Sequence, residues 1–330
     1  MRKSVLLAVL LGLSASDISF GQSDSDFIVI TSKKEDPKAL NIIALEIPIW
    51  HMNGSLVNSS LYNIKTSLSY VGAGKVNGGA TFNWRVFDRI YPSSYDDSDY
   101  GIHEMMVSKF KAPAAQSLDV WVAYFFKEKL VPTKERVQLK RAGNTTYYTN
   151  VDTKAYKRTG VELGYSQGFT WYNMNNMRVA VEEPNSGSKR FFESNSQTTV
   201  QTFKVLKVGL IFTKAVNVNL EVEGYGTKRS GYVNQNSFNL LFAVQNRFDD
   251  VLVGYPNTSN NSLEFTRYNF SDDNKRLPLG FEYKFKKYSK GWFSYEAGAG
   301  YYPGLLKKIN LGVFAGVSIQ IDMLIGNKLK

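Results

Sequence analysis

Cysteine is absent from this chain of 330 residues, and histidine occurs only as His51 and His103. The lack of cysteine excludes a disulfide framework, a thiolate metal site, a cysteine nucleophile and a lipidated cysteine at a mature N-terminus. Two histidines are too few for a histidine-rich metal cluster. After residue 21 no apolar run of about 18 residues or more occurs, which excludes a helical membrane protein. A content of 43% apolar and 14% aromatic residues excludes a disordered chain.

The N-terminus has the pattern of a signal peptide. Two basic residues precede an apolar run from Val5 to Leu13, which is too short to span a bilayer and has the length of a signal-peptide core. Ser19 and Gly21 are the small residues that a cleavage site requires. We therefore expect residues 1–21 to be removed from an exported protein, the alternative being a buried N-terminal strand. The mature chain keeps a formal charge of +10.

Apolar residues alternate with polar or small ones over most of the mature chain. Every second residue is apolar from Ile309 to Met323, and the same alternation recurs from Leu279 to Phe285. Successive side chains of a β-strand point to opposite faces, so the pattern predicts an all-β protein whose strands have one apolar and one polar face.

Two architectures produce this alternation. In a soluble sandwich the apolar face points to a dry core, whereas in a membrane barrel it faces lipid and the polar face lines a lumen. Runs of about nine to fifteen residues favour the barrel, because sandwich strands usually have about five or six. Aromatic residues at the run ends also favour it, because membrane barrels have aromatic girdles at both interfaces. These residues are Tyr70, Trp84, Trp171, Tyr172, Tyr283, Tyr301 and Tyr302.

We therefore expect a transmembrane antiparallel β-barrel of about 14 strands, with a range of roughly 12 to 16. Residues 38–324 form the predicted barrel. A periplasmic N-terminal segment at 22–37 precedes it, and a C-terminal tail at 325–330 follows it.

Some strand boundaries decide this count. The pattern predicts separate strands at 118–128 and 134–141, and again at 199–213 and 216–229. Val251–Tyr255 could be a further strand. It is assigned to a loop, because a single-chain bacterial barrel normally has an even number of strands.

The mature chain resembles outer-membrane β-barrels of Bacteroidetes-type bacteria. The resemblance rests on the Arg-Lys signal, the cleavage before Gln22, the alternating hairpins and the closing strand Val313–Ile321. It implies a location in the outer membrane, contact with lipid and lipopolysaccharide, and insertion by the barrel-assembly machinery. Some small barrels of these bacteria anchor surface proteins in type IX secretion or gliding. The polar tail after the last strand departs from barrels that end on an aromatic residue.

The sequence contains little sign of chemistry. On the predicted strand map His51 and His103 both lie in outside loops, and neither stands in a recognisable catalytic pattern. A barrel enzyme using one of them stays an alternative, but we expect no enzyme, no cofactor and no metal. The glycine-rich segments have no nucleotide-binding spacing, and no nucleic-acid module is present, so no nucleic-acid partner is expected.

Basic residues on the polar faces suggest a function for the lumen. The lumen-facing candidates are Lys65, Arg85, Lys204, Lys207, Lys284 and Lys286. A net positive lumen would favour anions. Alternatively, these cations hold lipid phosphates at the rim, or pair across the lumen with Glu162, Glu221, Glu223 and Glu282.

Two functions follow from this interpretation. The barrel is expected to be a passive pore or a membrane anchor. The alternative is a non-conducting structural component of an envelope secretion, gliding or surface-attachment machine, with an envelope or surface protein as partner. A secreted soluble sandwich remains the alternative from a different class.

Overall fold

The structure, a computed structural model, describes residues 29–55, 64–84, 116–174, 178–193, 197–257, 262–289, 293–306 and 310–322. In these ranges no helix has the length and hydropathy to cross a membrane. The strands are β1 (Ile30–Glu35), β2 (Ile42–Ser55), β3 (Ile64–Val71), β4 (Val76–Trp84), β5 (Gln116–Ala142), β6 (Thr145–Asn173), β7 (Val179–Glu182), β8 (Lys189–Phe192), β9 (Gln197–Val222), β10 (Gly226–Phe248), β11 (Val251–Asn257), β12 (Ser262–Phe270), β13 (Arg276–Leu277), β14 (Leu279–Ser289), β15 (Phe293–Tyr301), β16 (Gly304–Leu305) and β17 (Leu311–Asp322).

Ten of these strands form one antiparallel sheet that closes into a ring. Around the ring the order is β2, β3, β4, β5, β6, β9, β10, β14, β15 and β17. The pair β17–β2 closes it, with Gly312–Asp322 antiparallel to Ala44–Ser55. The all-β prediction and the barrel-like sheet are thereby confirmed. We call the end of the ring where β2 begins and β17 ends the proximal end, and the opposite end the distal end.

The ring has ten strands where the sequence predicted about fourteen. Residues 118–128 and 134–141 belong to the single strand β5, and β9 continues from 199–213 as far as Val222. The hairpin turn after β9 includes Gly224, whose φ of +73° is one that glycine adopts without strain.

Strands outside the ring account for the rest of the difference. The pairs β7–β8 and β11–β12 extend the sheet sideways from β9. The assignment of Val251–Tyr255 to a loop is wrong, because β11 covers these residues. Since β11 does not enter the ring, the number of ring strands stays even.

Two hairpins continue beyond the ring at the proximal end. β5 has no partner from β4 after Phe125, but it stays paired with β6 up to the turn at Gly143. β9 and β10 stay paired as far as Val222 and Gly226, past the last β10–β14 pair at Tyr232. We call the parts of these four strands beyond the ring, together with β1, the projection.

β1 occupies the edge of β9 that β6 leaves open. The β6–β9 pairing ends at Ala155, and β1 takes its place beside β9. The Glu35 carboxylate accepts hydrogen bonds from the Thr153 hydroxyl at 2.5 Å and from the Lys154 backbone N–H at 3.0 Å. The hydrogen bond from Thr153 lowers the pKa of Glu35. The predicted N-terminal segment at 22–37 thus contains a strand that joins the two hairpins.

One face of β6 has two different environments. In the ring Val161 and Leu163 are 39% and 53% exposed, whereas in the projection Val151 and Ala155 are 4% and 0% exposed. These odd-numbered residues lie on one face of a continuous strand. The face that points away from the ring is therefore covered in the projection. A small core covers it, formed by Val137, Leu139, Val151, Val218, Leu220 and Val222.

The course of β9 can be tested at Lys214, where the sequence predicted a turn. Lys214 lies opposite Lys157 of β6 and Asn234 of β10. Lys214→Pro removes a backbone donor from the centre of the sheet, so we expect it to lower the free energy of unfolding by about 2–3 kcal/mol. Lys214→Ala keeps the backbone intact and serves as the control. Urea unfolding of the purified protein measures both, and a Lys214→Pro variant as stable as the control would contradict a continuous β9.

Candidate functional site

The outward surface of the ring is apolar on every ring strand. We call its exposed large apolar side chains the belt. They are Ile47, Ile49, Leu68, Tyr70, Val76, Phe82, Leu118, Val120, Val122, Tyr124, Phe126, Val161, Leu163, Leu206, Val208, Leu210, Phe212, Phe238, Leu240, Phe242, Val244, Leu279, Phe281, Tyr283, Phe293, Tyr295, Leu311 and Ile319.

The belt is continuous from strand to strand. One row of directly opposed residues runs from Phe281 through Leu240, Val208 and Leu163 to Val122. Each of these side chains is between 46% and 57% exposed. Soluble monomers rarely expose a contiguous apolar patch of more than a few hundred Å². A belt around the whole ring is therefore larger than the apolar patches that soluble monomers usually expose.

The inward surface of the ring is polar and charged. Near the proximal end Glu46 of β2 is 2% exposed. Its carboxylate accepts hydrogen bonds from Ser67 of β3, Ser294 of β15 and the ammonium of Lys286 of β14. We call these four residues the Glu46 cluster. Every donor comes from a different strand, so the cluster connects one side of the ring through its interior.

A second group of charges lies around Lys207 of β9. Its ammonium is 2.9 Å from an Asp119 carboxylate oxygen on β5 and 3.6 Å from a Glu282 oxygen on β14. The Tyr302 hydroxyl donates to Glu282 at 3.0 Å. Nearby, the Asn239 amide donates to Glu162 at 2.9 Å. We call these residues the Lys207 cluster.

Two more interior cations, Lys65 and Arg158, contact side chains of other strands. Lys65 of β3 pairs with Glu296 of β15, and its ammonium lies 5.7 Å from the centre of the Phe314 ring. Arg158 of β6 lies over the Phe125 ring at 3.9 Å and donates to the Gly74 carbonyl at 2.7 Å. The described interior thus contains five carboxylates and five cations. The carboxylates are those of Glu46, Asp119, Glu162, Glu282 and Glu296, and the cations are those of Lys65, Arg158, Lys207, Lys284 and Lys286.

Described residues pack at both mouths of the ring. At the proximal end a buried apolar cluster includes Ile42, Val71, Tyr156 and Tyr288. At the distal end the segment after β15 lies against β9 and β10. There the Gln201 amide donates to the Pro303 carbonyl at 3.1 Å, and the Asn246 amide donates to the Gly304 carbonyl at 3.2 Å.

The structure brings together three of the six predicted lumen residues with carboxylate partners. Lys65, Lys207 and Lys286 lie in the interior as described above. Lys284 is half-buried on the same face of β14 as Lys286, and it has no ion pair with any described residue. Arg85 lies outside the described residues.

Lys204 does not point into the ring. It is exposed on the outward face of β9, which it shares with Leu206 and Val208. Lys204 and Lys207 are separated by an odd number of positions, so a regular strand places them on opposite faces. The predicted inward orientation of Lys204 is therefore wrong.

Other predicted positions also differ. Tyr302 belongs to the interior rather than to a girdle, because its hydroxyl binds Glu282. His51 belongs to β2 rather than to a loop, and His103 lies outside the described residues. Glu221 and Glu223 lie in or beside the projection, so they cannot balance charges inside the ring.

Sequence reasoning missed three interior carboxylates, those of Glu46, Asp119 and Glu296. A usable signal existed for Asp119, which stands between Leu118 and Val120 in an apolar run. A single acidic residue on the polar face of such a strand is a candidate partner for a cation on the same face of the sheet, here Lys207 of β9, one strand beyond the neighbouring β6.

Comparisons of the chain with protein-family models, with curated protein sequences and with solved structures gave no match. The described residues also contain no group of three or more acidic, histidine or cysteine side chains placed to hold a metal ion. The interior charges are therefore interpreted from their geometry alone.

The Glu46 cluster predicts a specific pattern of stability. Glu46→Ala leaves the Lys286 ammonium buried without its carboxylate, and we expect a loss of about 3–5 kcal/mol in the free energy of unfolding. The double variant Glu46→Met with Lys286→Met replaces the pair by apolar side chains and should recover most of that loss. Urea titration followed by tryptophan fluorescence compares the variants. If Glu46→Ala unfolds at the wild-type urea concentration, the carboxylate is not the counter-ion of Lys286.

Proposed function

We propose that the protein is an integral outer-membrane β-barrel that acts as a membrane anchor and does not conduct solutes. One observation carries the proposal: a continuous apolar belt surrounds a ring whose polar interior holds the ion pairs of Lys65, Lys207 and Lys286. A soluble barrel has the opposite arrangement, with apolar residues inside and polar residues outside.

The length of the belt supports insertion in a membrane. On β5 the alternating exposed residues run from Leu118 to Phe126. This is a nine-residue segment, and a tilted membrane-spanning strand needs about nine to eleven residues. The one charged side chain of this segment, Asp119, lies on the inward face, which avoids the cost of placing it in hydrocarbon. On β9 the outward Lys204 lies level with Leu118, at the edge of the belt.

The interior favours an anchor over an anion pore. Lys65, Lys207 and Lys286 each have a carboxylate partner, so they do not form a free positive ring. Small barrels of about eight strands have interiors just wide enough for side chains to fill. A ring only slightly larger, with charged and aromatic side chains inside and residues packed at both mouths, is consistent with a closed lumen.

The topology also supports an orientation. β2 begins and β17 ends at the proximal end, and the short connection from Val71 to Val76 also lies there. Bacterial barrels place short turns on the periplasmic side and long loops outside. We therefore propose a periplasmic proximal end and a distal end at the cell surface. The required partners are outer-membrane lipid, lipopolysaccharide and the barrel-assembly machinery.

Lipid contact can be tested at the centre of the belt. Leu163→Arg places a charge on the outward face, and in a bilayer we expect it to cost about 2–4 kcal/mol and to reduce the amount of protein in the outer-membrane fraction. Leu306→Arg is the matched control, because Leu306 is 51% exposed but lies outside the belt strands. Membrane fractionation with carbonate washing, together with heat-dependent gel mobility, provides the measurement. Equal recovery of both variants would mean that the belt does not face lipid.

Conduction separates the anchor from the pore. Wild-type protein in planar bilayers with asymmetric KCl is expected to give no steady conductance, because three interior lysines are paired with carboxylates and residues pack at both mouths. Proteoliposomes should likewise show no uptake of small anions or sugars. Reproducible anion-selective channels would contradict the non-conducting anchor and show that the protein is a pore.

A further inference from the structure

The projection is strongly basic. Residues 126–157, which form the longer of its two hairpins, contain eight basic and three acidic residues, a formal charge of +5. The eight basic side chains are all exposed, and none forms an ion pair with a described residue. In the ring interior, by contrast, most cations are paired with carboxylates.

The acidic residues of the hairpin do not neutralise this surface. Glu135 points to the other hairpin, where it accepts hydrogen bonds from Ser230 at 2.9 Å and Tyr232 at 3.1 Å. Glu128 accepts a hydrogen bond from the buried Tyr156. Asp152 lies directly opposite Lys134 on the exposed face. That face therefore carries two carboxylates, those of Glu128 and Asp152, against the four cations Lys134, Arg136, Arg141 and Lys154.

Aromatic residues accompany these cations. The Arg136 guanidinium lies 4.0 Å from the centre of the Tyr148 ring, and the Lys140 ammonium lies 4.9 Å from that of Tyr147. Tyr147 and Tyr148 are still 36% and 43% exposed. Tyrosine and arginine are enriched at protein interfaces and among their energetic hot spots.

The length of the hairpin argues against lipid as the ligand of this surface. Arg136 and Lys140 lie 11 and 15 residues beyond Phe125, the last ring residue of β5, or about 36 and 50 Å along the strand at about 3.3 Å per residue. The headgroup region adds only about 5–8 Å on each side of the hydrocarbon core. Cations close to the ring, such as Lys127 and Lys129, can reach phosphates, but those towards the hairpin turn lie far beyond them.

We infer that the exposed face of the β5–β6 hairpin is a docking surface for an acidic protein, centred on Lys134, Arg136, Arg141 and Tyr148. Opposite charge supplies the recognition, and the Arg136–Tyr148 pair supplies a rigid contact. The inference deepens the proposed function, since an anchor needs something to hold. It rests on that function only for the compartment in which the partner is found.

The test measures binding of fluorescein-labelled poly-L-glutamate to the full-length protein in detergent micelles at low salt. Lys134→Gln with Arg136→Gln and Arg141→Gln is expected to weaken binding at least tenfold. Tyr148→Ala leaves the net charge unchanged and should weaken it about threefold. The matched control replaces Lys189, Arg190 and Lys275 by glutamine, because these exposed cations lie away from the projection. The control removes the same charge and should change the affinity less than twofold.

Two competitors identify the class of ligand. Phosphatidylglycerol vesicles and a single-stranded DNA oligonucleotide are compared with poly-L-glutamate at the same ionic strength. Equal weakening by the hairpin and control variants overturns the inference, because the binding would then follow net charge alone. Tighter hairpin-dependent binding of the vesicles or of the DNA overturns it in favour of that ligand.

Failure of this inference is distinguishable from failure of the proposed function. The hairpin variants keep the belt, so their recovery in the membrane fraction should match that of the wild type. A protein that washes off membranes but binds poly-L-glutamate through the hairpin would refute the anchor and support the docking surface. A membrane-embedded protein without hairpin-dependent binding would do the reverse.

Discussion

Closure of the sheet between β17 and β2 is the contact on which the rest of the structure depends. An open sheet would leave two edges of unpaired backbone N–H and C=O groups, which the proposed membrane location would not tolerate. Pro48 lies within this pair and has no N–H to donate. The register shifts beside it, between Val317 and Ser318, and such a bulge is one of the few positions where a sheet accepts proline. Pro48 and the bulge beside it are thus compatible with β2 as a strand of a closed ring.

Closure also gives every ring strand one outward, apolar face and one inward, polar face. The contacts of the inward side chains then fix the alignment of each strand with its neighbours. A slip of one residue along β2 would turn Glu46 towards the belt and bring Leu45 or Ile47 inside. The Glu46 carboxylate would lose donors on three other strands. Buried ion pairs contribute little net stability against well-packed apolar residues. The interior charges are therefore better understood as setting the alignment of the strands than as the main source of stability.

Alternation was sufficient to predict the class of fold, because a period of two survives even where strand ends are uncertain. The strand break predicted at Lys214 is wrong, and the alternation on its two sides is enough to exclude it. Phe212 and Val216 are both even-numbered and belong to apolar series that stay in step on either side, as a single strand requires. The ion pairs were a different problem. Lys65 and Glu296 are 231 positions apart, and Lys286 and Glu46 are 240 apart, so only the ring order brings them together.

The projection explains why alternation alone could not distinguish a lipid-facing strand from a strand in a dry core. On β6 the same face carries Val151 inside a protein core and Leu163 at the surface. What differs is the presence of a second layer: β9 and β1 cover the face beyond the ring, and nothing described covers it within the ring. The chain therefore buries this apolar face where another part of the protein is available. It leaves the face exposed from Val161 onwards, over a length close to that of a membrane-spanning strand. This distribution of covered and exposed apolar residues is the one expected if lipid packs against the part of the face that the protein does not cover.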